Sequence, residues 1–209
     1  MLEMGRSAAL WLCLALTASM PAAAEDFEQP QAHFRVDNPA ELDGPKAEAI
    51  YRRIRSTSLG FYRMSGDPSS EDYPTWQRYN RVPYRSATHG NRFVNNYGNR
   101  KAKGYGGGPA GTPLPEGAVL AKDSFTVTAD GEVFTGPLFL MEKMAPGFDA
   151  ETRDWRYSMI MPDGSLFGRT GGPDAARVGF CATCHRTAGE LNDELFFVPE
   201  RYRHGADAQ

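Results

Sequence analysis

The sequence predicts an α+β fold in which a few helices pack against an antiparallel β-sheet. Two patterns carry this prediction. Apolar residues recur at helical spacing after residue 45, and the stretch 118–168 is rich in alternating β-branched and aromatic residues, interrupted by turn sequences. The length of 209 residues indicates one or at most two domains.

The first 24 residues have the features of a secretory signal peptide. Arg6 lies in a short start, an apolar stretch runs from Ala8 to Leu16, and the small residues Ala22-Ala23-Ala24 precede the acidic Glu25. The apolar stretch is about half as long as a bilayer-spanning helix requires, so we expect cleavage rather than a retained membrane anchor. Cys13 lies within this segment and leaves with it. The mature chain is therefore expected to be periplasmic or otherwise exported.

The mature chain is predicted to begin with an extended arm over residues 25–44, followed by a single domain over 45–209. The arm is polar and interrupted by prolines. The sequence Asp43-Gly44-Pro45 is typical of a helix start. The apolar residues that follow at helical spacing are Ala47, Ile50, Tyr51 and Ile54.

The middle of the chain predicts a short helix, a connector and then strands. Phe93, Val94 and Tyr97 fit one helical face. Residues 104–111 are rich in glycine but lack the flanking strand and Lys-Ser/Thr of a phosphate-binding loop, so they are interpreted as a flexible connector. Three or four antiparallel strands are expected in 118–168, with turns at 129–132 and 162–165.

The charge balance argues against a nucleic-acid partner. The chain has 23 Lys and Arg against 26 Asp and Glu, a formal charge of −3, so no broad basic surface is available to replace counterions along a phosphate backbone. A small-molecule ligand or substrate is the expected partner. The sequence leaves open a redox partner protein and a homodimer.

The cysteines carry the clearest chemical signal. Of three cysteines, the mature chain keeps Cys181 and Cys184, in the sequence Cys181-Ala182-Thr183-Cys184-His185. This pattern is typical of c-type haem attachment, in which two thiols add to the haem vinyl groups and the histidine binds the iron. Covalent attachment of haem follows export, so the motif and the signal segment support each other.

Other interpretations of the two cysteines are weaker. A zinc site needs four ligands, commonly from two cysteine pairs, and the other mature histidines, His33, His89 and His204, are scattered. A thioredoxin-like pair would follow the first strand of an α/β domain, and no βαβ pattern precedes this one. A disulfide would close a very small loop and stabilise little. We therefore expect one haem c near the C-terminus, bound through Cys181 and Cys184 with His185 as iron ligand.

The position of the motif narrows the class of haem protein. Small electron-carrier cytochromes have the motif near the N-terminus and a methionine ligand far downstream, whereas only 24 residues follow His185 here and none is Met. Four-helix cytochromes c-prime have the motif near the C-terminus, but their long helical periodicity is missing.

The sequence from about Thr88 to Arg203 resembles the cytochrome P-460 family, which includes the β-sheet cytochromes c-prime-beta. The resemblance rests on an ordered set of short motifs: Leu114-Pro115-Glu116-Gly117 before Val119-Leu120-Ala121-Lys122, Glu142-Lys143-Met144 before Asp154-Trp155-Arg156-Tyr157, Pro162-Asp163-Gly164, and Phe180 with the haem motif. It implies an antiparallel sheet with packed helices, one covalent haem and His185 as proximal ligand. The distal side is often open to a small nitrogen oxide in this family.

Some members of the family oxidise hydroxylamine with a haem cross-linked to a lysine. The segment Thr88–Asn99, where we would seek that lysine, has none, and Lys101, Lys103 and Lys122 lie nearby in sequence without a clear match. The resemblance therefore predicts binding or redox conversion of nitric oxide or hydroxylamine at the iron, and leaves the enzymatic activity open.

The residue at the second axial position of the iron decides between that function and simple electron transfer. The candidate ligands are His89, Met141, Met144, Met159 and Met161. Each has an ordinary alternative role, core packing for the methionines and local hydrogen bonding for His89. Other residues that could serve the pocket are Glu142 as an acid or base, Asp154, Trp155 and Arg156 as its frame, and Arg177 and Arg186 as haem propionate partners.

Overall fold

A nine-stranded antiparallel sheet forms the centre of the computed structural model, which describes residues 32–107 and 112–204. The predicted signal segment and part of the glycine-rich connector lie outside the described residues. The strands are β1 (Phe34–Arg35), β2 (Gln77–Arg78), β3 (Tyr84–Ser86), β4 (Arg92–Gly98), β5 (Val119–Val127), β6 (Glu132–Thr135), β7 (Leu138–Lys143), β8 (Trp155–Ile160) and β9 (Leu166–Arg169). The α-helices of the described part are α1 (Gly44–Arg63), α2 (Pro68–Asp72) and α3 (Gly179–His185).

Strand β5 is the central strand of this sheet. One of its edges pairs with β4, and the other pairs with β6 and β7. The sheet continues from β7 through β8 to β9, and β4 also pairs with β2 and β3. The predicted α+β class, an antiparallel sheet with packed helices, is confirmed.

Helix α1 begins and packs as the sequence predicts. The Asp43 carboxylate accepts a hydrogen bond from the Lys46 backbone N–H at 2.9 Å, and Pro45 occupies the first turn. The buried face of the helix includes the predicted residues Ala47, Ile50, Tyr51 and Ile54. This apolar face covers one side of the sheet.

The prediction of a short helix around Phe93 is wrong, because residues 92–98 form strand β4. The strand pairs with β5 from Phe93 opposite Phe125 to Gly98 opposite Leu120. Both faces of the sheet are covered at this point, so residues 93–98 are all buried and the apolar–polar alternation of a half-exposed strand is missing. Tertiary packing, rather than local periodicity, decides the conformation here.

Side chains of β5 alternate between the two covered faces. Leu120 packs in a cluster with Val94 and Tyr157 on the face that α3 covers, whereas Phe125 packs with Ile50 on the α1 face. The neighbours Lys122 and Asp123 consequently point to opposite sides of the sheet. Each lies in a different functional environment, described below.

The strands predicted in the stretch 118–168 are present, as β5 to β9, which is one more than the upper expected number. Both predicted turns lie between strands. Gly131 has φ +82° in the first turn, and a Cβ atom there would lie 2.0 Å from the Val36 carbonyl oxygen, so only glycine fits.

The cysteine motif lies within helix α3, and the chain continues through residues 186–204 over the same face of the sheet. The cysteines thus lie within a helix rather than at the C-terminal end of the fold. The later residues Leu195, Phe197 and Val198 pack in the same core cluster as Ala182 of this helix. In the described ranges, no helix combines the length and apolar character that crossing a membrane requires.

Candidate functional site

Helix α3 presents Cys181, Cys184 and His185 to one cavity. The three residues are spaced i, i+3 and i+4, so they share one face of the helix. That face borders a cavity of about 290 Å³ between α3 and the sheet. The opposite wall of the cavity is largely apolar and includes Phe139, Leu140, Met141, Tyr157, Met159 and Met161.

The imidazole of His185 is held with one nitrogen available as a ligand. Its Nδ1 lies 2.8 Å from the Glu194 carbonyl oxygen, which can only accept, so Nδ1 carries the proton and Nε2 keeps a lone pair. The rings of Tyr157 and Phe196 lie 5.3 and 5.4 Å from the imidazole ring. Burial lowers the pKa of His185 to about 4, so the ring is neutral at physiological pH.

The turn that supplies the Glu194 carbonyl is itself tightly held. Asp193 and Glu194 both have left-handed backbone conformations, with φ 52° and 59°. The Asp193 carboxylate pairs with Lys143 at 2.6 Å and accepts the Leu114 backbone N–H at 3.0 Å, and its carbonyl accepts the Trp155 indole N–H at 2.9 Å. These contacts fix the position from which Glu194 orients His185.

Both cysteines have free thiols and are partly buried. Burial raises the pKa of Cys181 to about 11, so this thiol is protonated at physiological pH. A redox-active cysteine pair instead depends on a thiolate with a lowered pKa. The environment of Cys181 therefore disfavours thioredoxin-like chemistry.

His89 also lines this cavity, and both of its ring nitrogens lie close to polar groups. Its Nδ1 is 2.8 Å from the Ser86 hydroxyl, and its Nε2 is 3.4 Å from the Lys122 ammonium nitrogen. Burial and the neighbouring Lys122 charge lower the pKa of His89 to about 2, so the ring is neutral. His89 contacts Phe139 edge-on, with ring centres 4.9 Å apart.

Lys122 is one of the three lysines that lie near Thr88–Asn99 in sequence without a clear match to a known role. It lines a smaller adjoining cavity of about 40 Å³, which shares His89, Phe139, Met141 and His185 with the larger one. Burial lowers the pKa of Lys122 to about 8. Lys122 lies on β5 opposite Asn96, within the segment Thr88–Asn99 that itself contains no lysine. The sequence feature that could have identified Lys122 is its position directly after the apolar residues Val119-Leu120-Ala121 of β5.

The predicted axial ligands divide into two groups. Met141, Met159, Met161 and His89 line the larger cavity, whereas Met144 lies outside it. His33 bonds to Thr135 at 2.7 Å on the other side of the sheet, and His204 is exposed.

The charged residues proposed for the pocket lie away from it. Glu142 and Arg156 pair with each other, and Arg186 pairs with Glu151 at 2.8 Å. Arg177 stacks on the Phe167 ring, 4.0 Å from its centre. Trp155 is fully buried in the core, and the Asp154 carboxylate accepts backbone N–H groups of its own turn. None of these six candidates lines either cavity, among the residues that the structure describes.

The donor set at the larger cavity fits a covalent c-type haem. Two free thiols and an imidazole nitrogen with a lone pair lie on one wall, and an apolar wall faces them. The second nitrogen of the histidine is hydrogen-bonded to a carbonyl, the arrangement that fixes a metal-binding imidazole.

The comparisons with known proteins add no assignment. No protein-family model matches the chain, and no curated protein matches it significantly.

Proposed function

We propose that the chain is an exported monohaem c-type cytochrome of the P-460 type that binds or redox-converts a small nitrogen species, such as nitric oxide or hydroxylamine. The observation that carries this proposal is the convergence of Cys181, Cys184 and His185 on one cavity, with His185 Nε2 available and Nδ1 fixed by the Glu194 carbonyl. The bound haem supplies an iron that holds the ligand and exchanges electrons with it.

Each residue on the α3 side has a distinct task in this proposal. Cys181 and Cys184 tether the haem, and His185 supplies one axial ligand. The Glu194 carbonyl keeps the His185 ring in one tautomer and orientation. Tyr157 and Phe196 pack against the ring and limit its rotation.

The remaining polar groups at the two cavities favour a small neutral or anionic ligand. Lys122 and Arg92 contribute positive charge, and His89 contributes a neutral imidazole. Among the described lining residues, neither cavity has an Asp or Glu. Nitric oxide and neutral hydroxylamine meet no charge penalty here, and Lys122 and His89 can donate or accept hydrogen bonds with a bound nitrogen or oxygen atom.

Lys122 also bears on whether the protein is an enzyme. The resemblance to the P-460 family implies a lysine–haem bond in members that oxidise hydroxylamine. Lys122 lines the smaller cavity, which adjoins the proposed haem site, and its amine lies 3.4 Å from Nε2 of His89, a residue that lines both cavities. We infer that Lys122 is the cross-linking residue, which favours hydroxylamine oxidation over ligand binding alone. A red-shifted spectrum of the denatured haem, lost in Lys122→Met, is the expected result. A normal c-type spectrum in the parent protein would restrict the role to ligand binding.

A second candidate function is electron transfer with a six-coordinate iron. The observation that favours it is the position of His89, which lines both cavities as His185 does. Its Nδ1 is anchored to Ser86, and its Nε2 contacts only the Lys122 amine, at 3.4 Å, among the contacts of the described residues. In this alternative His89 takes the second axial position. A low-spin ferric spectrum that does not respond to nitric oxide, and that becomes high-spin in His89→Ala, would support the alternative and contradict the first proposal.

Haem attachment is tested by expressing the full chain with a c-type haem maturation system. Haem-dependent staining after denaturing electrophoresis is expected for the parent chain and is expected to be lost in Cys181→Ala/Cys184→Ala. Thr183→Ala is the matched control, because Thr183 lies between the cysteines, is exposed and does not line the larger cavity. An unstained parent chain, or a stained double variant, would contradict the proposal.

A further inference from the structure

A buried tyrosine–aspartate cluster lies behind Lys122, on the opposite face of the sheet. It consists of Tyr51 of α1, Tyr97 of β4, Asp123 of β5 and Tyr73, each at most 5% exposed. Packing alone does not require hydroxyl and carboxylate groups at these positions, because apolar side chains would fill the space without a desolvation penalty. The function proposed above gives these hydroxyl and carboxylate groups no role.

Its hydrogen bonds define a direction for proton transfer. The Tyr51 hydroxyl donates to Asp123 Oδ2 at 2.6 Å. Since that proton is committed to Asp123, the Tyr97 hydroxyl, 2.6 Å away, donates to the Tyr51 oxygen. Asp123 also accepts the Asn95 amide at 2.9 Å and the Tyr73 hydroxyl at 3.2 Å, as expected of an ionised carboxylate. Burial raises the pKa of Asp123, which makes this carboxylate a better proton acceptor.

The cluster borders the smaller cavity, which adjoins the proposed haem site. Tyr97 and Ala121, neighbours across the β4–β5 pair, both contribute to the wall of the smaller cavity that Lys122 and His185 also line. An electron that moves from the Tyr97 ring to a haem in this site therefore crosses one layer of sheet. The Tyr73 ring, 5.3 Å from the Tyr97 ring, continues the aromatic contact away from the cavity.

A second tyrosine at the same cavity provides the contrast. Tyr105 lines the smaller cavity as well, but its hydroxyl donates to the Phe196 backbone carbonyl at 2.8 Å. A backbone carbonyl cannot keep a proton at physiological pH. Loss of an electron from Tyr105 would therefore leave a buried positive charge, whereas loss from Tyr97 can be compensated by the proton shift to Asp123.

We propose that Tyr97 is a redox-active residue that donates one electron to the haem site when hydrogen peroxide reacts there, with Tyr51 and Asp123 taking up its proton. This proposal rests on the haem attachment proposed above. Reduction of hydrogen peroxide to two waters takes two electrons and two protons. A ferrous haem iron would give one electron and become ferric, Tyr97 gives the other, and solvent supplies the two protons. The Tyr97 proton moves to the Tyr51 oxygen as the Tyr51 proton moves to Asp123. The charge of the cluster changes from −1 to zero, and no net positive charge is created in the core.

The experiment uses the haem-loaded full chain with its iron reduced and the excess reductant removed. The protein is mixed with hydrogen peroxide, frozen within seconds and measured by electron paramagnetic resonance. A tyrosyl radical signal is expected near g 2.00, reduced at least about fivefold in Tyr97→Phe and within about twofold of the parent signal in Tyr105→Phe. Ring-deuterated tyrosine is expected to narrow the signal and identifies the radical without a variant. A signal unchanged in Tyr97→Phe, or lost in Tyr105→Phe, would overturn the proposal.

The proton acceptor is tested separately. Asp123→Asn keeps the shape of the side chain but cannot take up the proton, so a reduced radical yield is expected with Tyr97 intact. An undiminished yield would refute the role of Asp123. Haem staining and far-ultraviolet circular dichroism are recorded for every variant. A chain that holds no haem contradicts the haem proposal, whereas a haem-loaded, folded chain without a tyrosyl radical contradicts only this one.

Discussion

The ion pair between Lys143 and Asp193 supports the proximal side of the candidate site, and we expect its charge to be essential for stability. The pair is 2.6 Å long, and its side chains are only 12% and 4% exposed. Asp193→Asn is the sharpest perturbation, because asparagine tolerates the left-handed conformation at φ 52° and its amide oxygen can still accept the Leu114 N–H. The substitution removes the negative charge and places an amide NH2 group, which can only donate, where the carboxylate oxygen faced Lys143.

The expected loss follows from the burial of the ion that is left behind. Removing one partner of a buried ion pair costs about 3–5 kcal/mol. Lys143 keeps the Arg153 carbonyl as an acceptor at 2.9 Å and retains slight exposure, so we take the lower end, about 3 kcal/mol. For a chain of this size that corresponds to a fall in Tm of about 6–12 °C.

The assay is thermal unfolding followed by circular dichroism at pH 7, with the double variant Lys143→Met/Asp193→Asn as the internal control. Removing both charges leaves no buried unpaired ion, so the double variant is expected to recover about half or more of the lost free energy of unfolding. A single variant that loses less than about 1 kcal/mol, a value typical of an exposed pair, would refute the reasoning. So would a double variant no more stable than the single one.

Two further predictions concern stability. The pKa of Lys122 in the folded chain, about 8, lies below its ordinary value of 10.5, so the haem-free chain loses stability as the pH falls from 10.5 to about 8 and remains less stable below pH 8. Lys122→Met is therefore expected to raise the Tm of the haem-free chain at pH 7 and to have no such effect above pH 10.5. A rise in Tm that does not depend on pH would contradict burial of the Lys122 charge as its cause. Gly131→Ala is expected to lower the free energy of unfolding by about 1–3 kcal/mol, because the residue has a φ of +82° and the added Cβ would clash with the Val36 carbonyl oxygen. Gly60→Ala in α1 has open space for the added Cβ and is expected to raise the free energy of unfolding by about 0.5–1 kcal/mol. Urea unfolding measures both changes, and equal effects of the two substitutions would contradict these structural reasons.

Prediction from the sequence was most successful where local chemistry determines the structure. The Asp43 cap, Pro45 and the buried face of α1 agree with the sequence pattern. The strands after residue 118 agree as well, because alternating side chains and the turns at Gly131 and Gly164 act within a few residues. Strand β4 was mispredicted because both of its faces are buried, which removes the period that distinguishes a strand from a helix.

The candidate site shows the same division. Cys181, Cys184 and His185 are identified by their spacing alone, because a helix brings positions i, i+3 and i+4 to one face. The sequence did not predict that Lys122 and His89 are neighbours, because they lie 33 residues apart and meet only through the packing of β5 against the segment before β4. Glu142 and Arg156, in contrast, were named as residues that could serve the pocket, but the β7–β8 register pairs them with each other.

The sequence by itself determined the candidate haem ligands and the antiparallel strands and helix that surround them, because both depend on short-range spacing. Only the tertiary structure decided that Glu194 orients His185, that Lys122 and His89 face the same cavity, and that Asp123 belongs to a tyrosine cluster behind it. The physical reason is that adjacent strand residues such as Lys122 and Asp123 point to opposite faces of the sheet, and both faces are covered. Which residue faces which environment depends on strand register, and register is set by pairing between segments that are distant in sequence.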